Sequence, residues 1–183
     1  MSAPHDDAAR APRSGGEPEG VRVYLPATVE TLRMLLATGQ VGPAPLRGYA
    51  VTPALREWYV DEDGEALEYA ALLEAARASL RLLDLDPKAP RRRVVIAVDA
   101  PAAVPLPEVE RSAVELPEPV PMRLVAAAHV DAPEAEPAVS AAADAVIEAD
   151  LGSDDAQFVL DEAEGHELAW YATQEIGPLL ELL

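Results

Sequence analysis

The sequence predicts an α+β fold: a small mixed sheet of three to four strands, with helices packed mainly on one face. Three observations predict it. Val21–Leu25 alternates apolar and polar residues, and Val94–Val98 is an unbroken apolar run rich in β-branched residues. Residues 65–83 and 134–149 carry apolar positions at helical spacing. Proline-rich stretches interrupt the order, so the regular strand–helix alternation of a parallel α/β chain is absent.

The elements follow in order. Residues 1–20 are Pro, Gly, Ala and charged residues without periodicity and read as a disordered leader. Residues 21–183 read as a single domain. Its first strand, Val21–Leu25, is expected to stop at Pro26. Thr28 reads as an N-cap, with Val29, Leu32, Leu35 and Leu36 on one helical face and Gly39 as the stop. Residues 40–50, with Gly42, Pro43, Pro45 and Gly48, read as a loop. Thr52-Pro53 opens a short helix carrying Leu55, Arg56, Glu57, Trp58 and Tyr59.

The longest helix is expected over 65–83, with Tyr69, Leu72, Leu73, Ala76, Leu80 and Leu83 as its apolar stripe. Arg91-Arg92-Arg93 reads as the solvated start of the buried strand Val94–Val98. Residues 101–121 hold six prolines and exclude a regular helix; Ser112–Leu116 reads as a short edge strand. Met122–Val130 reads as a strand with Leu124, Ala126, Ala128 and Val130 on one side; a helix is the alternative, because alanines suit both. Residues 134–149 read as an Ala-rich helix with Val139, Ala142, Ala143, Val146 and Ile147 inward. Residues 156–175 read as helical, with Val159, Ala163, His166 and Trp170 on one face; a strand at 157–160 followed by a helix from about Ala163 is the alternative. Gly177-Pro178 is expected to end that last helix.

Composition excludes several classes of function. The formal net charge is −19, from 33 acids against 14 bases. Residues 124–183 hold 14 acids and no Lys or Arg. A chain this acidic repels phosphate backbones, so nucleic-acid binding is not expected. Without cysteine there are no disulfides, thiol nucleophiles or Cys-ligated metals. No run of 18 apolar residues is present and no signal peptide opens the chain, so a cytoplasmic location without a membrane span is expected. The 36 alanines and 13 arginines against a single lysine, Lys88, and no asparagine suggest a GC-rich genome.

The catalytic motifs fail one by one. There is no Gly-x-Gly-x-x-Gly after a strand, no Walker-type Gly-Lys-Ser/Thr and no Gly-x-Ser-x-Gly. None of the six serines sits beside a histidine. His166-Glu167-Leu168-Ala169-Trp170 begins like a zinc-protease helix, but Trp170 stands where the second histidine is needed. Asp150, Asp154 and Asp155 lack the spacing of a calcium loop. No cofactor and no metal are expected.

Two candidate clusters remain: Arg56, Trp58 and Tyr59, and His166, Glu167, Trp170 and Tyr171. Each tryptophan has an adjacent tyrosine. Burial of both pairs as core aromatics is the expectation; exposure would instead mark an interface.

Val21–Pro26, Tyr49–Tyr59, Arg92–Asp99, Asp155–Phe158 and His166–Ile176 together resemble an uncharacterised family of actinobacterial proteins, a domain of unknown function. The resemblance covers roughly residues 21–178 and implies no activity, cofactor or catalytic residue. The expected function is therefore non-enzymatic: binding of a basic protein partner through the acidic C-terminal third. The alternative is an enzyme or small-ligand binder with a pocket near His166, Glu167 and Tyr171, with Arg56 as an anion anchor. A third reading, an acidic mimic of nucleic acid, needs carboxylates spaced like phosphates on one face.

Overall fold

The computed structural model describes residues 20–60 and 63–183. The disordered leader expected over 1–20 lies, apart from Gly20, outside the described residues. The fold is mixed α and β, but the main sheet has seven strands rather than three or four. Strands β1 (Val21–Ala27), β3 (Leu46–Ala50), β4 (Val94–Ala100), β5 (Val104–Pro105), β6 (Ala113–Leu116), β8 (Val125–Asp131) and β9 (Leu168–Ala172) lie in the order β5-β6-β3-β1-β4-β8-β9, and every pairing is antiparallel. Two short strands, β2 (Gln40–Val41) and β7 (Val120–Pro121), pair separately.

Helices cover both faces. Helix α1 (Val29–Thr38) and helix α6 (Ile176–Leu180) put Val29, Leu32, Leu35, Ile176 and Leu179 against Val23, Leu25, Val94, Ile96, Val98 and Val130. On the opposite face lies α3 (Gly64–Leu85), with Ala71, Ala75, Ala76 and Ala78 against Tyr24, Tyr49, Val95, Ala97 and Ala127. The C-terminal half of α3 then packs Leu80 and Leu83 against α4 (Glu136–Asp150) and α5 (Asp154–Glu164). The short α2 (Pro53–Trp58) completes the set.

Local chemistry explains the elements read correctly. Thr28 caps α1 by accepting the Thr31 N–H, and Gly39 closes it in the left-handed conformation, φ 76°. Thr52 caps α2 by accepting the Leu55 N–H, with Pro53 in the first turn. Asp63 and Ser153 cap α3 and α5 in the same way. In α4, Val139, Ala142, Ala143 and Val146 are buried as expected, but Ile147 is exposed. Leu36 of α1 also faces solvent.

The corrections have physical causes. Strand β1 continues through Pro26 to Ala27. At Pro26 only β4 pairs with it, through Val95, and β3 has already turned away, so the missing N–H faces no partner. Residues 40–50 hold β2 and β3 instead of a loop. Gly48 misleads because it is a packing glycine: a Cβ there would lie 2.5 Å from Val23 Cγ1. Strand β6 is not an edge, since β5 lies outside it.

The buried face of α3 is rotated away from Tyr69, which is exposed, toward small alanines that let the helix approach the sheet. Ser79 sits on that face, donating to Ala27 O (2.7 Å) and accepting from Val94 N–H. In β8 a register shift opposite Ala97 and Val98 breaks the expected alternation. Val125 therefore shares a face with Ala128 and Val130, while Ala127 faces α3. Residues 157–160 are helical. Helix α5 stops at Gly165, and residues 168–172 form β9 rather than more helix. Gly177-Pro178 lies inside α6 and does not end a helix.

Candidate functional site

The structure separates the two tryptophans to opposite ends of the sheet. Trp58 sits on α2 beside Val109 and Arg111, in the segment joining β5 to β6, while Trp170 lies on β9. Both are exposed, at 60% and 61%, and Tyr59 is 41% exposed. The expectation that both Trp–Tyr pairs are buried is thereby corrected for Trp58, Tyr59 and Trp170, while Tyr171 is half-buried. The cause differs at each end. Helix α2 has one turn and a half and buries only Leu55, so Trp58 and Tyr59 extend past the core it can reach. Trp170 belongs to a strand with a neighbour on one side only.

His166 and Trp170 do not share a helical face. His166 stands in the turn after α5, exposed, and its carbonyl accepts from the Arg93 guanidinium at 2.7 Å. Arg93 is not solvated: it is buried against Asp131. His166 and Glu167 line a pocket of about 160 Å³ together with Glu164, Arg93 and Tyr69. Tyr171 is elsewhere, packed against the α1 side of the sheet. Arg56 is exposed on α2 and does not line the cleft beside Trp58.

Strand β9 is an open edge. Its N–H and C=O directions follow from one hydrogen bond: Ala172 N–H donates to Glu175 Oε2 at 2.7 Å and not to β8. An antiparallel ladder alternates, so Leu168 and Trp170 also turn their N–H and C=O outward, while Ala169 and Tyr171 pair with Val130 and Ala128. The strand is Leu-Ala-Trp-Tyr-Ala, with no charge and no proline. The opposite edge, β5, is two residues long and contains Pro105. Glu164 and Glu167 precede β9, Glu175 follows it, and all three are exposed.

At the other end a cleft of about 250 Å³ lies between α2, α3 and the β5–β6 segment. Trp58, Tyr59, Leu55 and Val109 form its apolar part, and Glu74, Glu110, Arg111 and Ser112 its polar part. Thr52 ties α2 to this segment by donating to Arg111 O. The Arg111 guanidinium lies 3.6 Å from the centre of the Trp58 ring. Glu74 reaches solvent, but the protein around it and the nearby Glu110 push its carboxyl above the usual range. The buried Tyr49 on β3 has its hydroxyl raised by burial, then by Glu110. Arg77 and Arg81 are both held by Asp150, at 3.0 and 2.6 Å. Sequence reading missed this cleft. Glu74 and Glu110 are 36 positions apart and join only when the β5–β6 segment folds onto α3.

Among the described residues, no group of three or more His, Cys, Asp or Glu could hold a metal ion, and no helix is long and apolar enough to cross a membrane. A family model described as a family of unknown function, DUF6912, matches residues 21–180. The chain belongs to this family. The match spans the whole sheet of this DUF6912 member, from the first residue of β1 to the last of α6, and includes both exposed tryptophans. No curated protein and no solved structure matches the chain.

Proposed function

We propose that this protein works by binding another protein, and that β9 accepts an extended basic segment of the partner as an added strand. The observation that carries this reading is the open, uncharged edge of β9, with Trp170 exposed on it and the exposed carboxylates Glu164, Glu167 and Glu175 near its two ends. Main-chain hydrogen bonds to Leu168 and Trp170 supply affinity in this mode, and side-chain contacts supply selectivity. Charge selects the occupant. A second copy of the chain would bring the same acids against Glu164, Glu167 and Glu175, whereas a Lys- or Arg-bearing strand complements them.

The alternative centred on His166 has less support. Its pocket of about 160 Å³ is small beside the roughly 300–1,000 Å³ of typical ligand sites. Tyr171 does not line it.

The test uses a Trp58→Phe variant of the full chain, so that Trp170 fluorescence reports on β9. The ligands are an alternating Lys-Val hexapeptide, its Glu-Val counterpart and the Lys-Val peptide with alternate backbone amides methylated. Saturable binding of the Lys-Val peptide is expected, weakened on the order of tenfold by high salt. Loss of binding on amide methylation is expected as well. Equal binding of the acidic or the methylated peptide overturns the reading, and so does a salt-resistant dimer that covers β9.

A further inference from the structure

We propose that the strand added to β9 is amphipathic, that its apolar side chains lie on the α3 side of the sheet, and that the cavity beside Leu168 receives one of them. This rests on the reading given to β9 and adds which face of the partner strand is read, and by which residues.

The open edge and the cavity share one residue. Leu168 turns its N–H and C=O outward, and its side chain lines the cavity of about 160 Å³ together with Tyr69, Leu72 and Leu73 of α3. Residues opposite each other in an antiparallel ladder project to the same face, with Cβ atoms roughly 4.5–5.5 Å apart. The partner residue opposite Leu168 therefore extends on the α3 side, beside the cavity.

Trp170 marks the same face two residues further on. Its neighbour across the ladder is His129, whose ring stands edge-on to Tyr24, and Tyr24 packs against α3. The partner residue opposite Trp170 thus lies against an exposed indole. The intervening residue, opposite Ala169, turns to the α1 side, where Tyr171 packs. One face of the added strand meets Leu168 and Trp170. The other meets the small Ala169 and the half-buried Tyr171.

The cavity selects an aliphatic side chain. Leu72, Leu73, Leu168 and the Tyr69 ring give it apolar walls. Two of its charged residues already have partners: Arg93 binds Asp131 at 2.7 Å, and Glu164 lies 4.0 Å from Arg77. An apolar occupant leaves both pairs intact. His166 and Glu167 complete the lining and are exposed. The volume is small for a whole ligand and suits one side chain. The basic residues that β9 calls for then occupy the alternate positions. Pockets for every second side chain are how added strands are told apart.

The experiment uses the full, unaltered chain with the Lys-Val hexapeptide, its valine methyl groups isotope-labelled, and with a Lys-Thr hexapeptide of the same charge and side-chain shape. Nuclear Overhauser contacts from the valine methyls to Leu72, Leu73 and Leu168 are expected, with the lysine methylenes on the Tyr171 side. The Lys-Thr peptide should bind at least about fivefold more weakly, because burying its hydroxyl unpaired is unfavourable. Leu168→Ala enlarges the cavity. Exchanging one peptide valine for phenylalanine should therefore gain roughly tenfold in affinity on that variant relative to the same exchange on the unaltered chain. Alternating amide protection at Leu168 and Trp170 reports pairing as a strand. Without that alternation the β9 reading fails, and this inference with it. With it, lysine methylenes at the cavity, equal binding of the Lys-Thr peptide, or a phenylalanine exchange that Leu168→Ala does not alter overturns this inference alone.

Discussion

Arg93 and Asp131 form an ion pair that solvent scarcely touches, with side chains 1% and 0% exposed. The guanidinium donates to both carboxylate oxygens, at 2.9 and 2.7 Å, and the Arg93 backbone N–H donates to Asp131 Oδ2 at 2.7 Å. The same guanidinium reaches His166 O. One side-chain pair thus joins the start of β4 to the end of β8 and fixes the turn that leads into β9.

Removing one member of this pair is expected to be severe. A buried charge left alone costs about 3–5 kcal/mol. At about 2–4 °C per kcal/mol for a domain of this size, Asp131→Ala should lower Tm by roughly 6–20 °C. Replacing both residues with apolar ones, Arg93→Met with Asp131→Leu, should recover much of the loss. Thermal unfolding followed by circular dichroism measures both. A double variant no more stable than Asp131→Ala would show that the His166 carbonyl bond, and not charge burial, dominates.

Gly48 is held in place by Val23. Gly48→Ala puts a methyl group 2.5 Å from Val23 Cγ1 and 3.0 Å from Leu25 Cδ2, and overpacking of this kind costs about 1–3 kcal/mol. Adding Val23→Ala opens the space, so the double variant should be more stable than the sum of the two single losses requires. Urea unfolding of the four chains reads the coupling directly.

Asp150 gives a pH-dependent prediction with a definite sign. Hydrogen bonds from Arg81, then from Arg77, hold its carboxyl below the usual range. A depressed carboxyl contributes stability that is present above its unfolded value and is lost as pH falls through the folded one. Asp150→Asn should therefore destabilise the protein at neutral pH. The gap from the wild type should close as pH drops below the ordinary aspartate range. Glu74 has the opposite sign. Its raised carboxyl favours the folded state at low pH and loses that contribution as pH rises through the raised value. Glu74→Gln should therefore gain relative to wild type toward neutral and alkaline pH. Melting temperatures of the three chains across a pH series check both signs.

Residues whose role is local were legible in the sequence. Thr28, Gly39 and Thr52-Pro53 mark helix ends because capping is decided within four residues. Val94–Val98 reads as a central strand because both its faces are covered. Gly48 and Arg93 misled for one shared reason: their partners, Val23 and Asp131, are 25 and 38 positions away. A glycine then looks like a turn and an arginine looks solvated. The same distance hid Glu74 and Glu110. Leu168–Ala172 was hidden differently. The acidic, helix-compatible run Asp161–Glu167 continues α5 into it without a proline, and only Gly165 marks the break.

The edge character of β9 can be read residue by residue. Amide hydrogen exchange should alternate along the strand. The N–H groups of Ala169 and Tyr171 bond to β8 and should be protected, while those of Leu168 and Trp170 face outward and should exchange quickly. Ala172 should show intermediate protection, because its donor is held by the exposed Glu175 side chain. Glu175→Ala should remove that protection and leave Ala169 unchanged. Addition of the Lys-Val peptide should protect Leu168 and Trp170 and leave Ala169 and Tyr171 as they were. Side-chain docking alone gives no period-two signal, so protection of all five amides alike, or of none, would mean that a ligand at this edge does not pair as a strand.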